Sequence, residues 1–196
     1  MSIAAMNPFM GELIQTNAPG VTCTWCQEAL YEITPVAISN TAVLANTLLT
    51  AVPQVITLGI TNPAVVRNVV IKGALAGSTG SVVVKGTDYA GASISETFAL
   101  AGTAVVAGIK AFAAVTEVDL PIQSGGGDGV SVGIGSKLGL PFTLTRNTVR
   151  ATYNNNVIEA TAPTVAVDAT NICNNTVTLA SALAGNVVDV YLVVSS

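Results

Sequence analysis

The chain contains no histidine. That absence removes the serine–histidine–aspartate and cysteine–histidine arrangements, the commonest general base and the commonest zinc ligand together. Charge is scarce as well. Asp, Glu, Lys and Arg make up 9% of 196 residues, where a soluble domain usually has about 25%. Aromatic residues reach only 5%, with one tryptophan, while apolar residues account for 51%. A surface built from this composition must be clothed in Thr, Ser, Asn and Gly, or else be covered by neighbours, and the second is the expectation taken forward.

Positive charge is the scarcer sign. The seven basic residues lie scattered from Arg67 to Arg150 and the formal net charge is −4, so no stripe exists to neutralise phosphates. Before Arg67 the only charges are Glu12, Glu28 and Glu32. Nucleic acid is therefore not an expected partner, and no basic arm is available for an anionic membrane. The opening "MSIAAMNPFMGELIQTNAPG" lacks Lys and Arg and is broken by Pro8 and Pro19, so no secretory signal is read there. The uncharged window Thr41 to Ile60 has the length of a membrane span, but Pro53, Asn46 and four threonines interrupt it. Buried strands account for it better, and no membrane is expected.

Three cysteines are present, Cys23, Cys26 and Cys173. "CTWC" has the spacing of a redox pair or half a zinc site, but without histidine and with one distant further thiol it does not complete a four-ligand set. The cysteines are read as small hydrophobes in a reducing cytoplasm, with a Cys23–Cys26 disulfide or redox role as the alternative. No metal and no cofactor is expected.

Catalysis would have to rest on a carboxylate pair or a Ser–Lys pair. Asp88 with Glu96 and Glu117 with Asp119 are close in sequence, yet on strands such residues are ordinarily surface charges. Ser136 and Lys137 are adjacent, which is the wrong spacing for mutual activation. "SGGGDGVSVGIGSKLGLP" (Ser124 to Pro141) resembles a phosphate loop superficially, but Ser136 separates Gly135 from Lys137 and no helix follows. Asp128 among these glycines suggests a calcium loop only as a single copy. The chain is not expected to be an enzyme.

What the sequence does have is Val, Ile and Thr punctuated by turn residues at short intervals. That pattern predicts an all-β protein, an antiparallel β-sandwich of jelly-roll-like kind over residues 51–196, with residues 1–50 as an irregular N-terminal arm or cap. Strands are expected at Gln54 to Ile60, Val66 to Lys72, Ser81 to Thr87, Ser93 to Leu100 and Thr103 to Ala107. Others are expected at Ala114 to Leu120, Val130 to Ile134, Thr148 to Tyr153, Val157 to Ala160, Thr176 to Leu179 and Val187 to Val194. "TCTWCQEALYEI" is compatible with either a helical turn or a strand. "TDYAGA" supplies the turn of the hairpin beginning at Ser81. If Thr87 faces Ala92, Lys85 lies diagonally across from Glu96. A second hairpin is expected between Arg146 and Ala160, with Asn154 to Asn156 at its tip. In "VVDVYLVV", alternation sends Val188, Val190, Leu192 and Val194 to one face, and Val187, Asp189, Tyr191 and Val193 to the other.

"ITNPAVVRNVVIKG", "GSVVVKGTDYAGASISETFALAG", "KAF" and "DGVSVGIGSKLGLP", between Ile60 and Pro141, resemble a pattern in virion structural proteins of tailed bacteriophages. The resemblance implies a β-sandwich subunit of a phage particle, most like a capsid decoration (cement) protein. It implies a homo-oligomer, with a trimer favoured, that contacts the major capsid protein or other virion proteins, and a virion location after assembly in the bacterial host cytoplasm. Phe9, Leu13, Trp25 and Tyr31 are the candidate interface anchors. The alternatives are a tail-tube, neck or fibre component, or a carbohydrate-binding β-sandwich.

Overall fold

The structure is a computed structural model that describes residues 13–15 and 25–195. In chain order its strands are β1 (Leu13–Gln15), β2 (Trp25–Ile33), β3 (Ser39–Leu48), β4 (Gln54–Ile56), β5 (Arg67–Gly73), β6 (Ser81–Thr87), β7 (Ser93–Ala99) and β8 (Val105–Phe112). They continue with β9 (Ala114–Leu120), β10 (Gly129–Gly139), β11 (Val149–Asn154), β12 (Val157–Ile158), β13 (Thr164–Ala166), β14 (Thr176–Thr178) and β15 (Val188–Ser195). Among the described residues there is no α-helix, and all strand pairs are antiparallel. The chain is thus an all-β sandwich.

One sheet runs β4-β9-β6-β7, a second β13-β14-β10-β5-β8 with β3 also paired to β10, and a third β1-β2-β15-β11-β12. Alternation decides what each buries. On β6, Val82, Val84 and Gly86 are buried while Val83, Lys85 and Thr87 face outward. Val82, Val84, Val118 and Leu120 meet Val69, Ile71, Val130 and Val132 in a first core closed by Phe98 and Phe112. Each of these side chains contributes about 1.5–3 kcal/mol relative to exposure. A second core packs Val188, Val190 and Leu192 against Leu138, Leu140 and Val177. That face of β15 is the one alternation predicts.

Strand β10 belongs to both cores, and the transition is polar. Its pairing with β5 passes from Ile134↔Val69 to Leu138↔Arg67, so β10 carries two surplus residues there. On the other side of β5, Asn68 faces Ala111 and Val70 faces Ala107, a second bulge of the same size. Two adjacent side chains of β5 satisfy the freed backbone groups. The amide of Asn68 accepts from Lys137 N at 2.9 Å and donates to Gly108 O at 3.0 Å. Arg67, fully buried, donates to Val36 O at 2.8 Å and to Gly135 O. Burial pushes its guanidinium down to about 10. On the outer margin of the bulge, Glu96 accepts from Ile109 N at 2.7 Å and Lys110 N at 3.3 Å, tying β7 to β8.

Several sequence expectations need correction. Residues 25–48, assigned to an N-terminal arm or irregular cap with a strand left open as one reading of its centre, form β2 and β3, paired with β15 and β10 far along the chain. Thr87 faces Ser93, since Asp88 and Ala92 close the turn as the next rung of the ladder. The one-residue slip puts Glu96 opposite Val84, and Lys85 instead pairs with Glu117 at 2.5 Å and Asp119 at 2.8 Å on β9. The tip of the second hairpin is as expected, with Asn155 and Asn156 both at positive φ.

A methyl group on Gly133 would collide with the carbonyl oxygen of Ser39 and the backbone of Asn40, whereas one on Gly126 meets nothing. Gly133→Ala is expected to lower stability by about 2–4 kcal/mol in urea unfolding and Gly126→Ala to change it by less than about 0.5 kcal/mol. Arg67→Lys, whose ammonium does not span both carbonyls, is expected to cost about 2–3 kcal/mol in the same assay.

Candidate functional site

The carboxylates singled out in the sequence are engaged in folding. Asp88 is buried and its Oδ1 accepts from Ala90 N and Ala92 N, both at 2.9 Å, within the β6–β7 turn. Glu117 and Asp119 share Lys85. Ser136 is exposed, and the Nζ of Lys137 donates to Gly108 O at 3.0 Å. In the glycine-rich loop, Asp128 accepts from Ser124 N at 2.8 Å, Gly125 N at 2.7 Å and the Ser78 hydroxyl at 3.2 Å. Burial raises the Asp128 carboxyl, but those donors outweigh it and hold the group below the usual carboxylate range. The loop's anion-binding N–H groups are therefore filled by its own side chain. Asp168 folds the loop that leads into the turn Ile172–Asn174, where N–H donors from Asn171, Asn174 and Thr170 hold it well below that range. Cys173 is a buried free thiol, pushed up by burial, as the reading of a small hydrophobe anticipates. Among the described residues no group of three or more Cys, Asp or Glu is placed to hold a metal ion.

The third sheet differs in kind. Ala29, Tyr31 and Ile33 of β2 pack on the second core, so Glu28, Leu30 and Glu32 occupy the opposite face. Both glutamates are exposed. Tyr31 and Tyr89 meet edge to face, centroids 6.2 Å apart at 72°, beside a cleft of about 310 Å³ that Glu32, Ile33 and Val65 also line. Tyr153 and Tyr191 form a second such pair, 5.5 Å apart at 65°, beside a cleft of about 230 Å³ that Glu28 and Arg150 share. Asp189 stands directly across β15 from Glu32, and its buried Oδ1 has no hydrogen-bond partner. Further along the sheet, a groove of about 520 Å³ runs past Asn154, Val157, Ile158 and Glu159, where Glu159 accepts from the backbone N–H and hydroxyl of Ser181.

Of the four predicted anchors, three come together on this sheet. Leu13 of β1 pairs with Gln27, Trp25 opens β2 opposite Gln15, and Tyr31 lies farther along β2. Phe9 lies outside the described residues. Tyr31 is half-buried against Tyr89 rather than free. Sequence reasoning missed Glu28, Glu32 and the second tyrosine pair. The alternation Glu28-Ala29-Leu30-Tyr31-Glu32-Ile33 carried a signal for the glutamates, whereas the pairing of Tyr153 with Tyr191 depends on register between distant strands.

No known protein family matches the chain, and no match is found among curated proteins or solved structures.

Burial, reinforced by Tyr89, raises the Tyr31 phenol above its ordinary value of about 10. A phenol whose folded value is raised stabilises the fold in its neutral form, so that contribution is present below about pH 10 and declines as pH rises beyond it. Tyr31→Phe is expected to flatten the alkaline fall in melting temperature between pH 9 and 12; an identical fall in both proteins contradicts the assignment.

Proposed function

We propose that the chain is a structural component of a bacteriophage particle, a capsid decoration or cement protein that stabilises the head through contacts with its own copies and with the major capsid protein. The observation that carries this reading is a surface poor in charge on which large apolar side chains stand out. Leu58 is 85% exposed, Val157 66%, and Ile38, Val52, Val55 and Ile109 each more than 60%. Covering such side chains releases about 25 cal/mol per Å² before association costs, while each unpaired charge buried alongside would cost several kcal/mol. Few charges and many small apolar groups suit repeated assembly. The resemblance across Ile60–Pro141 supports the same reading, since that stretch builds the β5–β10 body of the sandwich. The β1–β2 corner, with Leu13, Trp25 and Tyr31, is the segment assigned to clasp a neighbour.

The purified protein is expected to form a trimer in native mass spectrometry, to bind phage heads that lack it, and to occupy lattice axes in cryo-microscopy of the decorated head. A lone monomer at high concentration with no affinity for heads or tails rejects the proposal. Rings or tubes in negative stain move it to the tail tube or neck.

A further inference from the structure

All four tyrosines of the chain stand in two edge-to-face pairs, and each pair shares a cleft with a glutamate of β2. The Tyr153–Tyr191 pair lies on the face of the sheet that carries Glu28 and Glu32, whereas Tyr31 meets Tyr89 on the core-facing side. Glu28 and Glu32 lie four positions apart on the same face, a separation of about 13 Å along a strand. Asp189 opposes Glu32 directly, and like charges so placed oppose sheet pairing. Its shielded Oδ1 lacks a donor. Arg150 lines the Glu28 cleft. Tyrosine rings beside carboxylates attract cations through the ring quadrupole and direct charge. A neutral apolar occupant would desolvate the glutamates without replacing their hydrogen bonds. Beyond Gln27, no described strand pairs with the second edge of β2, the side on which an extended chain would add as a further strand.

We propose that this face of β2 binds an extended basic segment of a partner protein, in which two Lys or Arg side chains four residues apart meet Glu28 and Glu32. The placement of that partner in a phage head rests on the reading above; the recognition chemistry does not.

The test uses the full chain, carbon-13 labelled on its tyrosine rings, titrated with the peptide acetyl-Gly-Lys-Ala-Ser-Ala-Lys-Gly-amide and with a control whose lysines are three residues apart. The first peptide is expected to shift the Tyr153 and Tyr191 ring signals saturably and to leave those of Tyr31 and Tyr89 largely in place. Binding is expected to weaken by about tenfold in 0.5 M salt or in the E28Q/E32Q variant. The control is expected to bind more weakly, because its two lysines face opposite sides. An unchanged melting temperature in the variant excludes misfolding as the cause. The inference is overturned by no saturable shift, by equal affinity in the variant, by equal affinity for the control, or by the same shifts appearing with a neutral oligosaccharide in place of the peptide. Head binding separates the two proposals. If the wild type and E28Q/E32Q bind heads equally, the face is not the contact and the cement reading stands; if the wild type binds peptide and not heads, the reverse holds.

Discussion

Strand β5 carries Arg67 and Asn68 into the interior at the level where both of its neighbours bulge, and the arrangement of the two cores follows from that placement. To leave the first core and enter the second, β10 must break step with β5, which frees backbone groups in a buried region. A guanidinium reaching two carbonyls and a carboxamide reaching one N–H and one carbonyl supply partners for them. The solution is costly, because the guanidinium has no carboxylate among the described residues and its Nε has no acceptor. It is also sterically exclusive. A side chain at Gly135 would collide with the Asn68 carboxamide, so the glycine and the asparagine depend on one another.

The same scarcity of charge shapes the exterior. Asp88, Asp128 and Asp168 organise loops, Glu96 ties two sheets together, and Lys85 neutralises Glu117 and Asp119. Once these are accounted for, little charge remains over much of the body, and apolar side chains stand among threonines and alanines. Glu28 and Glu32, exposed on β2, are the departure from that pattern. The cement proposal rests chiefly on the neutral body, and the basic-segment proposal on the acidic face of β2 beside the β1–β2 corner.

Local features of the fold were legible where sequence neighbours are also spatial neighbours. "TDYAGA" marked the β6–β7 hairpin, "NNN" marked the left-handed tip between β11 and β12, and alternation assigned both faces of β15. What escaped were features that distant segments create. Nothing near β2 or β3 advertises a partner at Val188–Ser195 or Gly129–Gly139. The second half of β10 was missed because the bulge at Gly135 to Lys137 destroys the period-two signal on which strand reading relies. The site was less legible still. Tyr31 could be singled out as aromatic, but its contact with Tyr89 and the company of Glu32 arise only when the third sheet meets the tip of the first.

The pairing of β2 with β15 has a temporal side. The first long strand waits for a partner roughly 160 residues downstream, a delay of about ten to thirty seconds on the ribosome at about 5–20 residues per second. Throughout that interval the edge that will meet β15 is open to other chains. Two acidic side chains in nine residues act as electrostatic guards against such misassociation. Residues placed to greet a partner in the finished protein thereby keep strangers away while it is being made.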